Sequence, residues 1–200
     1  MSNFFSNKKS RSPNLHSSRL VVFIGASGSG KDTLMVKSRD QLLAEDLECH
    51  IAQRWITRKN DETEQFHSIT KEDFHTADKD NFFALSWEIY DNCYGVPWEE
   101  IDPFLEKGTV LVNLSRNELE KARTLYPKCK VVFVDVATEL AKQRITQRRR
   151  DQGKMLDARL HRLKENVPLP VIPDLIVKNN STTINSILIV LIEFIKACQF

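Results

Sequence analysis

Leu20-Val21-Val22-Phe23-Ile24-Gly25-Ala26-Ser27-Gly28-Ser29-Gly30-Lys31-Asp32-Thr33 decides the fold. Its first five residues form a continuous apolar run, as expected of a strand buried on both faces of a parallel sheet. Residues 30–44 then take up helical spacing, with Leu34, Met35, Leu42 and Leu43 apolar among polar neighbours. The glycines between strand and helix let backbone N–H groups approach an anion closely. The helix turns its unsatisfied N-terminal donors and positive dipole end towards the same point. Lys31, read as an exposed loop cation, adds a full charge. Strand, glycine-rich loop, lysine and helix in this order make a phosphate-binding loop. The nucleotide candidates are therefore Gly25, Ala26, Ser27, Gly28, Ser29, Gly30, Lys31, Asp32 and Thr33, with ATP and Mg²⁺ as the cofactors. Asp32 occupies the place where Ser or Thr usually follows the lysine, and Thr33 comes next. Thr33, Asp32 or a water between them is left to serve the metal, with Thr33 the first choice.

Working outward, strands and helices alternate. Short strands are expected at His50–Trp55, Phe83–Ser86, Val110–Asn113, Val131–Val136 and Asp174–Val177. Helices fit 71–77, 97–106, 116–126, 138–150, 155–166 and 183–197. This predicts an α/β fold, a P-loop NTPase type with a mostly parallel sheet flanked by helices. Val167–Pro173 contains three prolines and reads as a linker to the last strand. Ile184–Ile195 is the most apolar segment, is too short to span a bilayer, and reads as a buried C-terminal helix.

At 200 residues the chain suits one domain. The 29 Lys and Arg against 27 Asp and Glu leave a net charge of +2, which excludes a strongly basic nucleic-acid coat. Cys49, Cys93, Cys129 and Cys198 show no metal or redox spacing and read as reduced thiols in a cytoplasmic protein. Residues 1–18 lack an apolar run and read as a flexible polar extension, with residues 19–200 as the folded domain. No nucleic acid and no membrane is expected as partner, and the sequence leaves the oligomeric state open.

Two basic features accompany the loop. Between Lys142 and Lys164 lie nine cations against Asp151 and Asp157. Read alone, such a run is a solvated helix face or an RNA contact. Behind a phosphate loop, Arg144 and Arg148, four apart on one helix face, suit a transferring phosphoryl group. The second feature is Arg54-Trp55-Ile56-Thr57-Arg58, where a strand-end Arg58 suits the phosphate of a second substrate. Taken alone it would be a surface arginine. Trp55, Trp87 and Trp98 read as packing residues, and His16, His50, His75 and His161 show no ligand spacing.

The loop GASGSGKDT, ITR at 56–58, SITKEDF at 68–74, YGV at 94–96, RITQR at 144–148 and DLIVKNN at 174–180 resemble the guanylate kinase group of P-loop phosphotransferases. Within it, GKDT, RWITR, ALSW, CYGV and VLVNLSR resemble the ribose 1,5-bisphosphate phosphokinase family of phosphonate utilisation. That resemblance implies transfer of the γ-phosphoryl of ATP to a small sugar bisphosphate, giving 5-phosphoribosyl 1-diphosphate. It implies an acceptor subdomain over about 50–97 and a lid over about 138–164. It also implies roles: Lys31, Arg144 and Arg148 on the transferring group, and Asn179 or Asn180 beside the adenine. On the acceptor side it implies Arg58, Glu64, Ser86, Tyr94, Asn113, Ser115, Arg116 and Arg159.

The departures from guanylate kinases carry information. Ser86 precedes Trp87 where those enzymes place a guanine-reading glutamate, and Val96 follows Tyr94-Gly95 where they place Ser or Thr. Asn113 and Ser115 stand where an acidic pair is usual, and His67 is displaced by one place behind Glu64. A site that reads a base loses about 1–3 kcal/mol for each buried polar group left unpaired, so guanine is not the expected acceptor. A nucleoside monophosphate kinase of altered base choice and a non-catalytic guanylate-kinase-like interaction module are the rival readings.

Overall fold

A computed structural model of the chain describes residues 18–58, 66–89, 91–147, 157, 160, 161, 163, 169–180 and 184–199. The expected polar extension, apart from Ser18, and most of the expected lid lie outside these residues. Five strands form one all-parallel sheet: β1 (Leu20–Ile24), β2 (Cys49–Ile51), β7 (Thr109–Asn113), β8 (Lys130–Asp135) and β9 (Leu175–Lys178). Their order is β2-β7-β1-β8-β9, so the phosphate-loop strand β1 is central. Leu20 pairs with Val110 on one side, and Val21 with Lys130 on the other.

Strand alternation distributes β1 between two cores. Leu20, Val22 and Ile24 face one cluster, with Val110, Val112, Val131, Leu119 and Tyr126. Val21 and Phe23 face the other, under α1 (Lys31–Ala44) and the C-terminal helix α6 (Ile184–Ala197). All five β1 residues are fully buried, and each large apolar side chain contributes about 1.5–3 kcal/mol of burial. Helix α6 is amphipathic rather than wholly buried. Leu191, Ile192 and Ile195 pack inward, whereas Ile189 is 66% and Val190 52% exposed. A Lys196–Glu45 ion pair of 2.5 Å joins α6 to the end of α1.

A second, four-stranded sheet was not expected from the sequence. It comprises β3 (Trp55–Ile56), β4 (His67–Ser68), β5 (Phe83–Ile89) and β6 (Asn92–Pro97), in the order β4-β3-β6-β5. β5 and β6 form an antiparallel ribbon in which Trp87 opposes Tyr94. The single strand expected over His50–Trp55 is therefore two strands in two sheets, joined across Ala52–Arg54. Further helices are α2 (Lys71–Lys79), α3 (Asp102–Leu105), α4 (Leu119–Leu125) and α5 (Thr138–Gln147). Short 3₁₀ turns at Trp98–Glu100 and Arg116–Glu118 replace the first parts of two expected helices. Thr70 caps α2 by accepting from Asp73 N–H at 3.1 Å. Among the described residues no helix is long and apolar enough to cross a membrane.

Candidate active site

The loop between β1 and α1 bends as its glycines allow. Gly30 has φ 87°, and a Cβ placed there would lie 2.5 Å from Asn179 Nδ2. That amide donates to Ser29 O at 2.7 Å, and Asn179 N–H donates to Asp135 O at 2.8 Å. Asn179 is thus a buried strut beneath the loop, supplied by the end of β9. Asn180 Oδ1 accepts from Ala137 N–H at 2.6 Å and so fixes the entry to α5. The two residues expected beside an adenine hold the loop and the neighbouring helix in place. Helix α5 packs directly against the loop: a Cβ on Gly28 would lie 2.7 Å from Ala141 O. Arg144 reaches across from this helix, and its Nη1 donates to Gly28 O at 3.4 Å.

Lys31 is half-buried rather than a free surface cation. Its Nζ donates to Gly25 O at 2.8 Å, to Ala26 O at 3.0 Å and to Ser29 Oγ at 3.4 Å. The ammonium closes the loop on itself while staying beside the amides that would receive phosphate. Ala26 and Ser27 form the rim of that turn, and Ser29 is fully buried. Asp32 begins α1. Its Oδ1 accepts from Asn113 Nδ2 at 2.6 Å and lies 3.8 Å from an Arg54 guanidinium nitrogen. Asn113 closes β7 beside β1, so this group sits at the carboxyl ends of the two central strands, where open α/β sheets bind ligands. Thr33 is exposed on the first turn of α1.

The acceptor candidates separate along the second sheet. The Arg58 guanidinium lies 4.6 Å from the centroid of the Phe66 ring. Phe66 belongs to a small cluster with Ile56 and Tyr94. Tyr94 stacks on Trp87, centroids 5.4 Å apart and planes at 6°. Arg58 and Tyr94 therefore share one aromatic patch. Ser86 opposes Gly95, one step out of phase with the Trp87–Tyr94 pair, so alternation turns it to the other face. Leu85 and Val96 lie along the same face as Tyr94, and both are fully buried. Ser115 and Arg116 follow β7 into a 3₁₀ turn and are half-buried. Glu64, Arg148 and Arg159 lie outside the described residues.

Asp135 Oδ1 accepts from Val136 N–H at 2.9 Å and so caps the turn after β8. Among the described residues no three His, Cys, Asp or Glu side chains cluster as a metal site. The first turn of α1 offers one carboxylate, Asp32, and one hydroxyl, Thr33. This fits a magnesium ion, which takes one or two protein carboxylates and completes its shell with phosphates and water. The cysteines are buried, and burial pushes the Cys49 thiol up to about 12 and those of Cys129 and Cys198 to about 11. They are inert packing groups.

Sequence reasoning assigned no role to Arg54 or to the His50–Glu100 pair. Glu100 Oε2 lies 2.8 Å from His50 Nε2 and accepts from Gln53 N–H at 2.9 Å. It ties the crossing between the sheets to the turn that leaves β6. No local pattern announces either contact, because the partners are distant in sequence.

Comparison with known proteins places this geometry in a family. The guanylate kinase family model matches residues 17–198. Ribose 1,5-bisphosphate phosphokinase PhnN of Pseudomonas paraeruginosa is 38% identical over 149 residues, covering 74% of this chain and 79% of that protein. The protein of the same name from Desulfomicrobium baculatum is 37% identical over 149 residues, with the same coverage of 74% and 79%. Guanylate kinase from Anaplasma phagocytophilum shares the fold, with a TM-score of 0.66, 14% identity, and coverage of 95% of this chain and 88% of that one. The fold thus agrees with the structural match, and the chain belongs to the guanylate kinase family of P-loop kinases.

Proposed function

We propose that the protein transfers the γ-phosphoryl group of ATP to the 1-phosphate of ribose 1,5-bisphosphate. The relatives' name supports this acceptor. The structural observation that carries it is the patch in which the Arg58 guanidinium lies over Phe66 beside Tyr94, itself stacked on Trp87. Arg58 and Tyr94 there suit an anion, and Leu85 and Val96, fully buried in the core, put no donor or acceptor into it.

The chain's residues divide the work. The loop amides and Lys31 bind the β- and γ-phosphates, and Arg144 adds charge where the γ-phosphoryl moves. Asp32 and Thr33 would hold Mg²⁺, which would offset the charge of the phosphates. An oxygen of the acceptor phosphate forms the new bond to the γ-phosphorus. The bond from that phosphorus to the β–γ bridging oxygen breaks, and ADP leaves with the electron pair. The acceptor phosphate is already ionised at neutral pH, so no general base is required. Catalysis rests on positioning and charge.

The test is steady-state transfer from ATP to a panel of acceptors. Ribose 1,5-bisphosphate is expected to exceed GMP in kcat/KM by at least about a hundredfold, the discrimination that unpaired polar groups produce. GMP turnover equal to that of the sugar overturns the reading in favour of a nucleotide kinase. Absence of any transfer by folded protein overturns it in favour of an interaction module.

A further inference from the structure

We propose that Glu100 is a positioning residue for phosphoryl transfer: by tying together the two chain crossings between the sheets, it sets where the second sheet stands relative to the phosphate loop. The proposal rests on the reading above in one respect, that the loop holds ATP and the second sheet holds the acceptor.

The second sheet is an excursion of the chain between β2 and β7, which are neighbours in the parallel sheet. The outward crossing is Ala52–Arg54. Ala52 N–H donates to Leu111 O at 2.9 Å, a bond into the parallel sheet. Arg54 O accepts from His67 N–H at 2.9 Å, a bond into the second sheet. Gln53 is the pivot between them, and its N–H donates to Glu100 Oε2 at 2.9 Å. The return crossing is the 3₁₀ turn Trp98–Glu100. Trp98 N–H donates to Phe82 O at 3.4 Å, just before β5, and the chain then runs through α3 into β7. Glu100 ends that turn, and its Oε2 also lies 2.8 Å from His50 Nε2. His50 pairs with Val110 in the parallel sheet and stacks on Phe104, with centroids 3.6 Å apart and planes at 9°. One carboxylate oxygen thus joins the return crossing to the pivot of the outward crossing and to the edge strand β2.

Apolar contacts also join the two sheets, since Ala84, Leu85 and Val96 share a cluster with Leu20, Val22 and Ile24 of β1. Such contacts hold two surfaces together but have no preferred direction. Hydrogen bonds do, and those to a carboxylate are among the strongest. The His50 and Glu100 side chains are only 25% and 22% exposed, which limits competition from water. Arg58 follows β3 and Tyr94 lies on β6, so both go with the second sheet. Lys31 begins α1 and Arg144 lies on α5, so both go with the phosphate loop. A small rotation at Gln53 therefore alters the distance from an acceptor oxygen to the γ-phosphorus while leaving each binding surface intact. Transfer falls steeply with such misplacement, about 10²-fold for 1 Å. Glu100 accordingly acts on the rate and not on the affinity for either substrate.

The experiment compares wild type, Glu100→Ala and Glu100→Gln, each shown by thermal unfolding to be folded at the assay temperature. Transfer from ATP to ribose 1,5-bisphosphate is timed in single turnovers, so that product release does not mask it, and both KM values are measured in the steady state. Glu100→Ala is expected to slow transfer at least about fivefold with both KM values within about threefold of wild type. Glu100→Gln should be faster than Glu100→Ala, because its amide oxygen can accept from Gln53 N–H and from His50. A smaller loss in Glu100→Ala overturns the proposal, however far its melting temperature falls. So does a larger rise in either KM, the mark of a substrate contact, and so does a Glu100→Gln variant no faster than Glu100→Ala. If Glu100→Ala does not fold, His50→Phe decides, because it keeps an aromatic ring against Phe104 and removes the bond to Glu100. Transfer slowed at least about threefold there, with both KM values held, supports the proposal, and a smaller loss overturns it. If wild type prefers GMP, the sugar reading fails, and the same comparison with GMP decides this inference by the same thresholds. Folded wild type that transfers to neither acceptor overturns both.

Discussion

Replacing Lys31 by alanine tests the phosphate cradle most directly. The side chain sits in the loop with Nζ on Gly25 O, Ala26 O and Ser29 Oγ. One charge pair at about 4 Å and an effective dielectric near 20 is worth roughly 4 kcal/mol, but the wild-type ammonium must first release its loop carbonyls. A net loss of about 3–4 kcal/mol in the transition state corresponds to about 10²–10³ in turnover. The same three contacts make the residue structural. For a half-buried lysine their loss costs about 1–2 kcal/mol, or about 2–8 °C in a chain of this size. The assay is ADP release with saturating acceptor, alongside thermal unfolding. Turnover within tenfold of wild type would refute the assigned role. An unchanged melting temperature would refute the closing of the loop by its own lysine.

Gly30→Ala forces a Cβ to 2.5 Å from Asn179 Nδ2 at φ 87°. Strain of about 1–2 kcal/mol plus about 1 kcal/mol for the Asn179–Ser29 bond predicts a melting temperature lower by about 4–12 °C and weaker ATP binding. Unfolding and nucleotide titration check both. Burial alone would raise the Glu100 carboxyl, but the bonds from His50 and from Gln53 N–H hold it below its ordinary 4.5. The unfolded chain therefore takes up the proton first as pH falls. The stabilisation is complete above about pH 4.5 and disappears as pH drops through the lower folded value. Glu100→Gln should cost about 1–2 kcal/mol at pH 7 and progressively less below pH 4.5, as followed by melting against pH. A difference that grows in acid would contradict the assignment.

The nucleotide half of the fold was legible because its signals are local. Leu20–Thr33 carries strand, turn and helix start within one stretch, and each residue type acts on its near neighbours. The second sheet was not legible for the same reason in reverse. β3 and β4 have two residues each, too few to show any period. The break after β2 contains neither glycine nor proline; a distant carboxylate, Glu100, holds Gln53 N–H there. The apolar run Ile184–Ile195 suggested full burial, yet the sheet covers only one side of α6. Arg58 and Tyr94 were found through motifs, and the structure joins them in one patch. Arg54 had no such marker, since its partner Asp32 is brought close only by folding.

The β5–β6 ribbon is clamped at one end. Ala84, Leu85 and Val96 lie within the main core at its root. Ile89 and Tyr94, further out, pack with Ile56 and Phe66, and Trp87 touches both clusters. Such a ribbon is a cantilever: a force of given size displaces the far end most and the root least. Ligand strain at the aromatic pair is thus absorbed by bending rather than by shearing the parallel sheet. Acceptor preference can drift through substitutions at the tip while the nucleotide machinery keeps its register.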